Sequence, residues 1–171
     1  MNIDDDDFTL FGLQPLQRLD ADALDACRRD LQSQVHPDRF ASQGATAQRV
    51  AMQWAVRVNG AYQRLRNPLT RAGYLCDLRG AHVDAERNTG MPPAFLMQQM
   101  EWREALDDAD SAAEVQALED RITAEQQRMF DEVAELLDDR GDPFTAADRV
   151  RALMFVDRFR RDIDQRLETL E

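Results

Sequence analysis

His36-Pro37-Asp38-Arg39-Phe40-Ala41 separates two stretches whose apolar residues recur at helical spacing. Proline fixes its own φ and drives the residue before it out of helical geometry, so a helix should end at His36. Asp38 is placed to begin a new turn. A titratable, charged tripeptide around a rigid ring belongs on an exposed loop, and loops carried on rigid elements hold function disproportionately. Upstream, Leu24, Cys27, Leu31 and Val35 keep one apolar stripe, with Asp20 as a plausible N-cap. Downstream the loop should run to about Gly44. A longer helix then carries Val50, Ala51, Trp54, Val58, Ala61, Tyr62 and Leu65 as its expected buried stripe and ends at Asn67-Pro68. Two antiparallel helices joined by the His36 loop form a hairpin. The apolar segment Phe8, Leu10, Phe11, Leu13 and a piece from Leu69 to Leu78 should brace it.

The rest of the chain has the same helical character. Among 171 residues only 7 are Gly and 6 Pro, and helix formers dominate, so the expected fold class is all-α. GAHVDAERNTGMPP, from Gly80 to Pro93, breaks the periodicity and suggests a boundary. The expected division is a first domain over 1–79, a linker over 80–91 and a second domain over 92–171. In the second, segments near 93–109, 112–138 and 145–170 read as an antiparallel three-helix bundle.

Charge divides the chain similarly. Residues 1–80 hold ten Asp, no Glu and ten Arg, whereas residues 81–171 hold 23 acids against 11 Arg, which accounts for the net −12. Such an acidic second half would repel a phosphate backbone, so nucleic acid is a poor partner. No run of about 18 apolar residues suggests a membrane span. Cys27 and Cys76 are isolated thiols without a CxxC pair, and a cytoplasmic location with no metal and no cofactor is expected. Asp4 to Asp7 reads as a disordered acidic tail. His82 reads as a surface residue of the linker.

The first half also carries a specific pattern. A helix, HPD, a longer helix, Asn59-Gly60-Ala61-Tyr62-Gln63-Arg64-Leu65, Pro68 and Arg71-Ala72-x-Tyr74 together resemble a J-domain. Phe8-Thr9-Leu10-Phe11-Gly12-Leu13, the Arg39-Phe40-Ala41 after HPD, and Phe95-Leu96-Met97-x-x-Met100-Glu101-x-Arg103-Glu104 resemble something narrower. They are similar to the HscB family, the J-type co-chaperones of iron–sulfur cluster assembly, over essentially the whole chain.

That resemblance implies an adaptor rather than an enzyme. His36, Pro37, Asp38 and Arg39 would meet a DnaK-class chaperone (HscA type) and stimulate its ATPase. Arg28 and Arg29 are the candidates for the basic residues that the family carries on the helix before HPD. Asp22, Asp25 and Asp30 share that helix, a departure from the pattern. The second implied partner is the Fe–S scaffold protein (IscU type), with Leu96, Met97, Met100 and Phe155 at the matching positions and Arg103 and Glu104 at the rim.

Periodicity supports the second site separately. At about 100° per residue, Phe95, Trp102 and Leu106 share one core stripe, while Leu96, Met97 and Met100 form another apolar face. In the last helix Val150, Leu153, Val156, Phe159, Ile163 and Leu167 make the core stripe and leave Phe155 off it. Exposed apolar groups of this size suggest a protein-binding patch, and Met suits an adaptable one. The alternative is that they pack on the first domain or cap the bundle. Two other functions compete: a J-protein serving general folding, and an enzyme using His36 and Asp38 as an acid–base pair. No Gly/Phe-rich linker or CxxCxGxG repeat supports the first, and no nucleophile or phosphate-loop motif the second.

Overall fold

A computed structural model describes residues 2–83 and 91–170, except for the side chains of Pro37 and Ala41. Most of the expected linker, 84–90, lies outside the described residues. The helices are α1 (Asp7–Phe11), α2 (Ala21–Val35), α3 (Ala45–Arg66), α4 (Pro68–Leu78), α5 (Pro93–Asp107), α6 (Ala112–Ala134) and α7 (Pro143–Leu170). A 3₁₀ helix, Pro37–Gln43, joins α2 to α3, and α6 closes with a π turn, Glu135–Asp139. The described residues contain no strand. The chain divides into two compact units, Met1–Leu75 and Cys76–Glu171. The division falls inside α4, so Cys76–Val83 groups with the second unit.

In the first unit α2 and α3 form the hairpin. Asp20 caps α2 as expected, accepting from the backbone N–H of Asp22 at 2.9 Å and of Ala23 at 3.3 Å. Leu24 and Val35 bury fully, whereas Cys27 and Leu31 are half-buried. On α3 the core stripe is Ala51, Val58, Ala61, Tyr62 and Leu65. Val50 does not belong to it and stands 47% exposed. The helical wheel does not separate it, because Val50 lies within about 20° of the buried Ala61. Trp54 is half-buried rather than in the core. The segment after Pro37 is also more ordered than a loop, since it closes a 3₁₀ helix before Gly44, whose φ of 95° favours glycine.

At the end of α3 the exposed carbonyls find side chains. Arg71 donates to Leu65 O at 2.6 Å and the Thr70 hydroxyl to Arg64 O at 2.8 Å. Asn67 Oδ1 accepts from the N–H of Leu69 at 2.8 Å and so starts α4. Unsatisfied helix ends are costly, and this turn leaves few.

The acidic N-terminus is structured, contrary to the tail expected from composition. Asp6 caps α1, accepting from Thr9 N–H at 3.0 Å. Burial would raise the Asp6 carboxyl, but hydrogen bonds from the Thr9 side chain and from backbone N–H groups outweigh it and hold the pKa below the usual carboxylate value. Asp7 is wholly buried between Arg57, at 2.7 Å, and Arg64, at 2.8 Å. Arg57 also donates to the carbonyls of Asp5 at 2.6 Å and Ile3 at 3.2 Å. A buried charge requires such pairing.

The second unit is a bundle of α5, α6 and α7. Val115, Leu118, Ile122, Met129 and Val133 bury on α6, and Leu136 in the π turn after it, as their spacing requires. Val150, Leu153, Val156, Phe159 and Ile163 do the same on α7, and Leu167 is half-buried near its end. Phe95 and Trp102 meet edge to face with centroids 6.3 Å apart, and Trp102 stacks on Phe159 at 6.2 Å. The segment after α4 joins this unit through two arginines. Arg79 donates to Leu137 O in the π turn, and Arg151, nearly buried, donates to Val83 O at 3.0 Å while pairing with Asp148.

Candidate functional sites

The first site sits where α2 stops. His36 has φ −61° and ψ 126°, extended geometry imposed by Pro37, so it ends α2 and at once caps the 3₁₀ helix. Its Nδ1 accepts from the N–H of Asp38 at 3.3 Å. An acceptor Nδ1 means the neutral ring carries its proton on Nε2. His36 and Asp38 side chains are 59% and 91% exposed, with Nδ1 3.7 Å from the nearer carboxylate oxygen. The arrangement offers a partner one N–H donor and one solvated carboxylate on a short, hydrogen-bonded helix.

Arg39 has a different place from the one its neighbours suggest. Its Nη1 donates to Ser33 O at 2.8 Å, folding the guanidinium back on the last turn of α2. The contact satisfies an orphan carbonyl and pins the 3₁₀ helix to α2. Arg28 is half-buried, its Cζ 4.1 Å from the centroid of Tyr62, while Arg29 is exposed. The structure therefore separates the three arginines by environment.

The second site lies on α5 and α7. Leu96, Met97 and Met100 are 45%, 64% and 64% exposed, while Phe95, Trp102 and Leu106 face the core. Phe155 is half-buried. Its ring stacks on Phe159 at 6.1 Å and meets Phe95 edge on at 6.0 Å. Leu96, Gln99, Met100, Arg103 and Phe155 line one shallow groove of about 340 Å³. Met97 stands beside it rather than in its lining. Arg103 is held loosely at one edge, 3.6 Å from Asp162 and with its Cζ 5.6 Å from the Phe159 centroid. Glu104 is exposed on the next position. The groove can take an apolar side chain, with one cation at its rim.

Some organising residues escaped the sequence reading. Arg57 and Arg64 are seven apart on α3, hence on one face, and that spacing was the available sign that they share a partner. Nothing local marks Asp7 as that partner. Arg66 and Arg151 did have local signs, since Tyr62 lies four residues before Arg66 and Asp148 three before Arg151 on the same helix, whereas the contact of Arg151 with Val83 O is visible only in the fold.

Comparison with known proteins agrees with this layout. Residues 91–164 match the family model described as the HSCB C-terminal oligomerisation domain. A Co-chaperone protein HscB homolog of Paraburkholderia xenovorans is 50% identical over 99% of this chain and 98% of its own length. Among solved structures, the chaperone HscB from Vibrio cholerae superposes with TM-score 0.89 at 35% identity, covering 97% of this chain and all of that one. Human co-chaperone protein HscB gives TM-score 0.90 at 27% identity, over 96% of this chain and 83% of that one. End-to-end identity of this order, on the same succession of helices, places the chain in the HscB family: a J-domain co-chaperone with a helical C-terminal domain.

Proposed function

We propose that this protein is an adaptor in iron–sulfur cluster maturation. Its C-terminal unit holds a cluster scaffold protein of the IscU type through Leu96, Met97, Met100 and Phe155, with Arg103 and Glu104 at the rim. Its J-domain presents His36, Pro37 and Asp38 to a DnaK-class chaperone of the HscA type and stimulates ATP hydrolysis there, in the cytoplasm. The reading asks no covalent chemistry of this chain, because binding both partners supplies proximity.

The observation that supports it most is the exposure of two unlike surfaces. One is a charged turn with an almost fully solvated Asp38 carboxylate. The other is an apolar face whose side chains the bundle leaves uncovered. An arginine of the chaperone meeting Asp38 would form a charge-assisted hydrogen bond, the stronger class. The turn is already hydrogen-bonded before docking, so less entropy is lost on binding.

The test uses both purified partners. His36→Gln should abolish stimulation of the chaperone ATPase and leave helicity and scaffold binding intact. A combined change of Leu96, Met97 and Met100 to Ala should weaken scaffold binding in calorimetry by at least about two orders of magnitude, since hot-spot truncations cost about 2 kcal/mol or more each. Full stimulation by His36→Gln, or an unchanged dissociation constant for the triple variant, would overturn the corresponding half of the reading.

A further inference from the structure

Tyr62 is the centre of a polar cluster that joins α2 to α3. The ring is buried, yet its hydroxyl donates to Asp25 Oδ1 at 2.7 Å and accepts from Arg66 Nη1 at 2.7 Å. Two guanidinium groups lie against the same ring, Arg28 with its Cζ 4.1 Å from the centroid and Arg66 with its Cζ 5.6 Å away. Asp25 and Arg28 come from α2, and Arg66 from the turn of α3 beyond Tyr62. One aromatic side chain therefore sets the positions of two cations that the sequence places 38 residues apart.

The cluster holds more charge than its own contacts use. Two arginines face one carboxylate, Asp25, and Arg29 adds an exposed cation one residue beyond Arg28. Within the cluster itself two guanidiniums stand against one carboxylate, while Asp22 and Asp30 flank it on α2. A guanidinium carries five N–H donors in a planar fork. Arg66 commits one of them to the Tyr62 hydroxyl and is exposed. Arg28 Nε is shut away from water without a hydrogen-bond partner, which fixes which end of the fork faces inward. A stacked, hydrogen-bonded arginine has lost most of its rotamer freedom before any partner arrives, so docking costs less ordering. Packing the hairpin alone does not call for this arrangement: a buried phenylalanine would fill the ring's space without a hydroxyl to satisfy.

We infer that Arg66, held with Arg28 by Tyr62, is part of the surface on which the J-domain docks carboxylates of its chaperone, and that Tyr62 is the positioning residue for the pair. This rests on the reading that the domain docks a DnaK-class chaperone. It extends that surface from α2 to the end of α3 through a residue outside the HPD turn. It also addresses the acidic residues of α2. Asp25 is tied to the Tyr62 hydroxyl, so part of its charge is engaged within the cluster and weighs less against an acidic partner.

The test measures stimulation of the purified chaperone ATPase as a function of this protein's concentration, at several salt concentrations. Arg66→Gln should raise the concentration for half-maximal stimulation by about fivefold at low salt, the range of one exposed ion pair, and the effect should fall on that concentration rather than on the plateau. The loss should shrink as salt rises. Arg66→Lys, which keeps the charge without the planar fork, should recover part of it. Tyr62→Phe keeps the ring under Arg28 and frees Arg66 and Asp25, so it should move the half-maximal concentration in the same direction. In Arg66→Gln the further effect of Tyr62→Phe should be smaller than in the wild type, a coupling that a purely structural tyrosine would not show. Arg66→Gln with a wild-type half-maximal concentration and wild-type salt dependence would overturn the inference alone. Absence of stimulation by the wild-type protein would overturn the docking reading and the inference with it.

Discussion

Arg57 donates to the buried carboxylate of Asp7 at 2.7 Å, closing a contact across 50 residues of sequence. Arg64 closes the other oxygen at 2.8 Å, and Tyr74 stacks on Phe8 beside them with centroids 6.1 Å apart. The acidic start of the chain is thus a structural strap on α3. Removing one partner of a buried ion pair leaves an uncompensated charge, which costs about 3–5 kcal/mol. Arg57 and Arg64 are partly exposed and can be rehydrated, so Asp7→Ala should lose about 2–3 kcal/mol in urea unfolding. Asp4→Ala, at an exposed position, should stay within about 0.5 kcal/mol. Equal effects at the two positions would return the N-terminus to a solvated tail.

Large-to-small changes should sort the apolar residues by environment. Trp102→Ala removes a ring that touches both Phe95 and Phe159 and should cost about 3–5 kcal/mol. Trp54→Ala should cost clearly less, because the ring is half-buried. Met97→Ala should cost under about 1 kcal/mol. Phe155→Ala should behave as a partial core change, since its ring packs on Phe159 and Phe95. Denaturant unfolding of the four variants checks the order, and a loss for Met97→Ala matching that for Trp102→Ala would contradict it.

The two thiols should react at different rates. Burial pushes the Cys76 thiol up to about 11, with Asp77 adding to the rise and Arg79 and Arg151 opposing it. Cys27 is half-buried. The thiolate is the reactive form. At pH 8 a thiol reagent should therefore modify Cys27 first and Cys76 only on unfolding, as read by mass spectrometry. The stability linkage has a definite sign. A thiol that holds its proton more tightly when folded contributes stability fully below its ordinary value of 9.0, and loses it as pH rises toward 11. Stability of wild type relative to Cys76→Ala should fall across that window. Rapid labelling of Cys76 in the folded protein would refute its placement.

Arg79 and Arg151 tie the segment 79–83 to the bundle, where Ala81 and Val83 are buried. A fragment beginning at Cys76 should therefore unfold at higher urea than one beginning at Met91. The difference should be about 2 kcal/mol, the scale of burying two small apolar side chains and keeping a charged hydrogen bond. Arg151→Met should destabilise the longer fragment and not the shorter. Identical midpoints for the two fragments would show the segment to be dispensable.

Much of this protein follows from the sequence by local rules. Helical stripes such as Val115, Leu118 and Ile122, the Asp20 cap, the stop at Asn67-Pro68 and the break in α2 at His36-Pro37 depend on residues a few positions apart. Spacing alone separated the core residue Phe95 from its exposed neighbours Leu96 and Met97. Tertiary structure decided the rest, where the partner lies far along the chain. Composition makes Asp4 to Asp7 resemble a solvated run, and only the packing of α1 on α3 brings Asp7 between two guanidiniums. Val50 is as apolar as the buried residues of α3 and shares their side of the helix, yet it stands 47% exposed. Arg28, Arg39 and Arg66 are alike in sequence. Arg28 stacks on a ring from another helix, which only the fold provides, whereas Arg39 and Arg66 find Ser33 O and the Tyr62 hydroxyl close by in sequence, because a guanidinium's role is set by what lies within about 3–6 Å of it in space.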